Sequence, residues 1–147
     1  MPMHTVGWVR STTDSVAIRK RLRSLKEAIR INPDNAEAHY NLGVACGKVG
    51  HHAEAIEAYK QAIRIKPDHA DAYSNLGVVY SMLGRYRKAI EAFKQAIHIK
   101  PDLAAAHYNL GVTYLILGNR ASALDEYKIL KDLNRELANA LFDLIYK

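Results

Sequence analysis

A single cysteine, Cys46, among 147 residues rules out an internal disulfide. It falls in a helical apolar pattern, where a small buried thiol is the ordinary role. Long apolar runs are missing as well. None approaches the roughly 18 uninterrupted residues that a membrane-spanning helix needs, and the N-terminal stretch lacks the apolar core of a secretory signal. The expectation is a cytoplasmic protein with no membrane contact. An organellar address is the minor alternative, because the Arg-rich, acid-poor leader with Ser11, Thr12, Thr13 and Ser15 also has the make-up of a transit peptide.

Chemistry-bearing clusters are absent too. The histidines are scattered: His39 and His107 stand at a bulky position that Tyr73 fills elsewhere, His51 and His52 lie in a turn, and His69 and His98 lie near unit junctions. No Cys group or His-Glu spacing suggests zinc, and every glycine has a packing or capping use, which leaves none for a phosphate loop. The expected reading is no cofactor, no metal, no catalytic residue and no enzyme.

The net charge of +6 points toward nucleic acid until its distribution is counted. Residues 1–35 hold seven Lys or Arg against Asp14, Glu27 and Asp34, so +4 of the excess precedes the regular part of the chain. The remainder is nearly balanced.

That regular part is one pattern written three times with a period of 34 residues: Ala36 to His69, Ala70 to Leu103, and Ala104 to Leu137. Each copy has Asn-Leu-Gly-Val near its start (Asn41, Asn75, Asn109) and a later Gly50, Gly84 or Gly118. A fixed period in this range means stacked units, each unable to bury its apolar face alone. In the second copy Tyr73, Leu76, Gly77, Tyr80 and Leu83 recur at helical spacing, and Gly84 follows as a left-handed cap. Tyr86, Ala89, Ile90, Phe93, Ala96 and Ile97 form a second helical stripe that Pro101 ends. Asp34 and Asp68, three residues ahead of Glu37 and Asp71, read as an acidic capping box.

Small residues at fixed places set how closely the two helices approach: Gly43, Gly77 and Gly111 on the first, Ala55, Ala89 and Ala123 on the second. Leu42, Leu76 and Leu110, with Tyr59, Phe93 and Tyr127, are the matching large residues and are expected in the core.

These residues resemble the tetratricopeptide repeat family, whose unit has a Leu-Gly pair, a later Ala, an aromatic, another Ala and a terminal Pro at the same spacings. The resemblance covers Ala36 to Leu137. It implies an all-α, right-handed superhelical solenoid of antiparallel helix pairs whose first helices line a concave groove. Three full repeats (36–69, 70–103, 104–137) are expected, preceded by an irregular leader (1–14) and a half repeat (15–35), and followed by a capping helix (138–147). In the half repeat Arg21 stands where the full copies have Ala, and in the leader Trp8 lies one period before Leu42.

The resemblance also implies groove-facing positions on either side of the Leu-Gly pair. Asn41, Asn75 and Asn109, then Val44, Val78 and Val112, occupy them, joined by Tyr40, Tyr108, Leu115 and Ile116, with Lys48 as the main cation. A side-chain amide can pair with both the N–H and the C=O of a peptide group, so the three asparagines form a candidate ladder for a peptide ligand; their other role is a bond to the neighbouring helix. The Lys, Arg and Asn clamp that one subgroup uses for a terminal carboxylate is absent, since Tyr40, Ser74 and Tyr108 stand in its place beside Glu37 and Asp71. The expected function is a noncatalytic protein-interaction scaffold for an extended or helical segment with apolar side chains and a few basic ones. The alternative is RNA binding through the basic N-terminus and the cations Lys60, Arg64, Lys88, Lys94, Lys100 and Lys128 of the second helices and unit junctions. Leu137, Leu141, Leu144 and Ile145 share a stripe on the last helix, and Phe142 and Tyr146 widen it. Leu141, Phe142, Ile145 and Tyr146 are therefore expected as the interface of a homo-oligomer.

Overall fold

A computed structural model describes residues 2–147, with side chains from Ser15 onward. It is all-helical, with eight α-helices and no strand among the described residues. Two compact units divide the chain, Met1–Lys66 and Pro67–Lys147. The first contains α1 (Pro2–Ile31), α2 (Ala36–Lys48) and α3 (His52–Ile65). The second contains α4 (Ala70–Met82), α5 (Tyr86–Ile99), α6 (Ala104–Ile116), α7 (Arg120–Leu133) and α8 (Arg135–Ile145).

Each repeated first helix stops at its glycine for a conformational reason. Gly50, Gly84 and Gly118 have φ of +80°, +74° and +79°, a left-handed geometry that a Cβ makes costly. The following amide then turns back to the helix: Arg85 donates to the Tyr80 carbonyl at 2.9 Å and Asn119 to the Tyr114 carbonyl at 2.8 Å.

The starts of these helices differ from the expected acidic box. Asp34 lies in the turn after Pro33, and the cap is the next residue, Asn35, whose side chain accepts from the Ala38 amide at 3.2 Å. In the next copy His69 takes the same role, with Nδ1 accepting from the Ala72 amide at 3.2 Å. Asn119 and Asn134 cap α7 and α8 in the same way, each accepting at 3.1 Å. In the third copy the corresponding residue is Leu103, and α6 starts without a side-chain cap.

Within each hairpin the helices meet where one side lacks a side chain. A Cβ built on Gly43 would lie 2.6 Å from the Tyr59 ring, and one on Gly77 would lie 2.6 Å from the Phe93 ring. Ala55 and Ala62 in the first unit, and Ala89 and Ala96 in the second, are fully buried on the partner helices. His39 adds a polar tie within its unit, its Nε2 donating to the Pro33 carbonyl at 2.8 Å. His107 repeats that bond to the Pro101 carbonyl at 2.7 Å.

The third copy departs from this scheme. Gly111 faces Leu141 of α8, 2.7 Å from a built Cβ, instead of the aromatic of its own hairpin. Tyr127 is only half-buried, contrary to its expected place in the core. Leu130, which replaces the alanine of the earlier copies, and Leu141 are both fully buried in a cluster with Ala123, Ala138 and Ile145. Their branched side chains fill the volume that the ring takes in the other hairpins. Leu141 and Ile145 are therefore core residues of the second unit, and of the residues expected at an oligomer interface Phe142 and Tyr146 are the exposed ones.

The N-terminal region also differs from expectation. α1 is helical from Pro2, so the helix start expected at Ser15 lies inside it, and residues 2–14, expected to be irregular, are part of the same helix. No proline interrupts residues 3–32, and a lone Gly7 is tolerated in a helix. The expected role of Trp8 lies outside the described side chains. Ile31 is 72% exposed at the end of α1, consistent with a helix that buries only part of its apolar stripe.

Cys46 is fully buried, with Sγ 3.8 Å from Glu54 Oε2. Burial pushes its thiol pKa up, and the Glu54 charge adds to that, so the protonated form dominates at neutral pH. Two measurements check this packing. Gly77→Ala should lose about 1–2 kcal/mol to denaturant, the overpacking cost outweighing the helix propensity gained. Gly47→Ala, at a helical site with nothing within 4 Å of a built Cβ, should instead gain about 0.5–1 kcal/mol. Equal signs for the two would contradict the close approach at Phe93. Separately, an aromatic disulfide reagent at neutral pH should modify Cys46 only as fast as the unit unfolds; immediate stoichiometric labelling of the native protein would refute its burial.

Candidate functional site

Asn75 and Val78 on α4 lie three residues apart, and Asn109 and Val112 on α6 repeat that spacing, so each pair shares one side of its helix. These first helices pack directly against each other. Asn75 and Val78 on α4, and Tyr108, Asn109 and Val112 on α6, are each half-buried, anchored by the chain but reachable from solvent. Asn75 already has a polar partner within the chain. Ser74, one residue earlier, is buried and belongs to the helix packing.

Ile116 extends the face and is 53% exposed. Met82 lies one period before it, is also exposed, and was missed by the sequence reading. The signal was its register with Lys48 and Ile116, hidden by the change of residue type at each copy.

In the first unit, α2 carries Tyr40, Asn41 and Val44, all half-buried, with Lys48 exposed near the helix end. Tyr40 packs on Tyr59 with ring centroids 5.9 Å apart. Val44 and Lys48 are not open on every side: Ile18 and Arg21 of α1 line a small cleft of about 40 Å³ with them. Arg21 thus adds a second cation beside Lys48. Its sequence signal was plain, an arginine in the slot where the full copies have alanine.

Both units also hold a cleft between a first and a second helix, beside leucines expected in the core. In the first it measures about 490 Å³ and is lined by His39, Leu42, Glu54, Glu57 and Gln61. In the second it measures about 480 Å³, between Tyr73, Leu76, Tyr80, Lys88 and Gln95. Lys88 reaches over the Tyr80 ring at 5.7 Å. The third copy bridges the corresponding place: Glu126 stands where Ala58 and Ala92 stand, and its Oε2 lies 2.6 Å from His107 Nδ1. Among the described residues no group of three His, Cys, Asp or Glu could hold a metal ion, and no helix is long and apolar enough to cross a membrane.

Comparisons with known proteins agree with this architecture. Residues 22–50 and 48–84 match the family described as TPR repeat, and residues 70–103 and 104–136 match tetratricopeptide repeat. No curated protein sequence matches. Among solved structures, "Crystal structure of MamA" is 33% identical with a TM-score of 0.78, over 86% of this chain and 74% of that one. "Crystal structure of MamA protein" is 33% identical with a TM-score of 0.76, over 86% and 69%. "MamA MSR-1 C2", at 24% identity and a TM-score of 0.72 over 84% and 71%, shares the fold. The paired helices, their glycine contacts and the half-exposed face of the first helices are thus one recurring unit: the chain is a protein-interaction scaffold and belongs to the tetratricopeptide repeat family.

Proposed function

We propose that the face of α4 and α6 binds an extended polypeptide segment, with Asn75 and Asn109 pairing with its backbone and Val78, Tyr108 and Val112 receiving its apolar side chains. The observation that carries this reading is two half-buried asparagines at equal positions on two helices in direct contact. Neighbouring packed helices lie about 8–10 Å apart, and an extended chain rises about 3.3 Å per residue. Every third peptide group of the ligand therefore meets one asparagine. Backbone pairing of this kind tolerates many ligand sequences, while the valines and Tyr108 favour apolar side chains at intervals.

On α2, Asn41, Tyr40 and Val44 hold the same register, so that unit offers the same class of contact, bounded there by Ile18 and Arg21. Exposed Glu37 and Asp71 favour basic residues in the ligand, whereas Lys48 and Arg21 favour an acid near Val44. RNA binding has weaker support. Lys60, Arg64, Lys88, Lys94 and Lys128 belong to α3, α5 and α7, on second helices and not on the asparagine-bearing ones. A phosphate backbone needs its cations on one continuous track.

Peptides selected by display on the wild-type protein provide the ligand for a test. Asn75→Ala with Asn109→Ala should weaken their binding by about tenfold or more, as expected for two lost hydrogen bonds at ~1 kcal/mol each. Helicity by circular dichroism should not change. Unaltered affinity in the double variant would dispose of the ladder.

A further inference from the structure

The displacement of Tyr127 by Leu141 creates a surface that the groove does not explain. On α7, Arg120, Tyr127 and Lys131 share one face, at i, i+7 and i+11. On α8, Arg135, Asn139 and Phe142, with the C-cap residue Tyr146, form a matching stripe. The two helices run side by side in the second unit, and the stripes meet. Tyr127 and Phe142 have ring centroids 5.5 Å apart, and Phe142 and Tyr146 4.7 Å apart. Phe142 is 42% and Tyr146 53% exposed, a large apolar area to leave in water.

Cations frame these rings. Arg120 Cζ lies 4.6 Å from the Tyr146 centroid and Lys131 Nζ 5.8 Å from that of Tyr127. Lys131, Arg135 and Asn139 line a cleft of about 250 Å³ with Tyr127 and Ala138. Among the described residues, neither Arg120, Lys131 nor Arg135 is paired with a carboxylate. The nearby acids Asp132, Glu136 and Asp143 each follow a stripe residue by one position, about 100° further round the helix.

We infer that the α7–α8 face is a second docking surface, for an acidic peptide segment of a partner protein that carries apolar or aromatic side chains. Its carboxylates meet Arg120, Lys131 and Arg135, and its apolar side chains cover Phe142 and Tyr146. Charge decides between this occupant and a second copy of the chain. A two-fold contact through the same face would bring two copies of the same three-cation patch into one interface, whereas an acidic segment neutralises the patch. The geometry of the rings decides against single-stranded RNA: Phe142 packs tilted at 46° between its neighbours, and Arg120 covers Tyr146, so open parallel ring faces for successive bases are not presented.

The test uses the full chain and a fluorescein-labelled peptide of alternating Glu and Leu with a central Phe, followed by anisotropy at low salt. Binding is expected, weakening as salt rises, and the analogue with Gln for every Glu should bind at least about tenfold more weakly. Lys131→Gln with Arg135→Glu should also lower affinity about tenfold, and both sites are exposed; a glutamate in the first turn of α8 suits the helix dipole, which protects folding. The Asn75 and Asn109 double variant should bind this probe like wild type. Equal binding of the Gln analogue, no effect of the charge changes, or no binding at low salt overturns the proposal. A shift with labelled oligouridylate that the charge changes abolish would assign the face to RNA instead. A dimer seen by sedimentation that the same changes dissociate would assign it to self-association.

Discussion

A first and a second helix can approach closely only where one of them presents no Cβ, and this constraint organises the molecule. Gly43 against Tyr59 and Gly77 against Phe93 repeat that contact in separate units. The ring is buried between the two helices of its hairpin and fixes the rotation of the first helix about its axis. Once rotation is fixed, the side chains of the first helix are sorted. Leu76 and Val79 turn inward, while Asn75 and Val78 stay at the boundary with solvent. The candidate ligand face is thus a consequence of core packing and needs no separate device to present it.

The third copy makes the same closure with different parts. Leu141 of α8 reaches Gly111, Leu130 replaces a buried alanine, and Glu126 joins His107 across the hairpin. A branched aliphatic side chain from a following helix does the work of the ring, which ties α8 into the core through Ala138, Leu141 and Ile145. The released Tyr127 then pairs with Phe142 at the surface. One substitution of packing partner therefore has two results: a covered core and an aromatic patch with cations around it.

How much of this was legible in the sequence follows from what a period reports. Residues in phase across copies share an environment, so the helix pairs, the glycine caps at Gly50, Gly84 and Gly118, and the small-against-large contacts of the first two copies could be read directly. The third copy misled because Tyr127 is in phase with Tyr59 and Phe93, and only the out-of-phase Leu130 and Glu126 marked that its space was taken. Leu141 and Ile145 were expected at an oligomer interface, because the contact of Leu141 with Gly111 joins positions far apart in the chain. The caps were misplaced by one residue, since the choice between Asp34 and Asn35 depends on turn geometry after proline and not on residue type. The candidate site was legible as a register of Asn and Val. Arg21 was visible as an anomaly, but its place beside Lys48 required the course of α1.

The most direct measurement of this account is a set of through-space proton contacts to the buried glycines in solution. The Gly77 α-protons should show cross-relaxation with the Phe93 ring, and those of Gly111 with the Leu141 methyl groups. Cross-peaks from Gly111 to the Tyr127 ring, with none to Leu141, would contradict it, because Tyr127 would then occupy the core and α8 would not close the third hairpin.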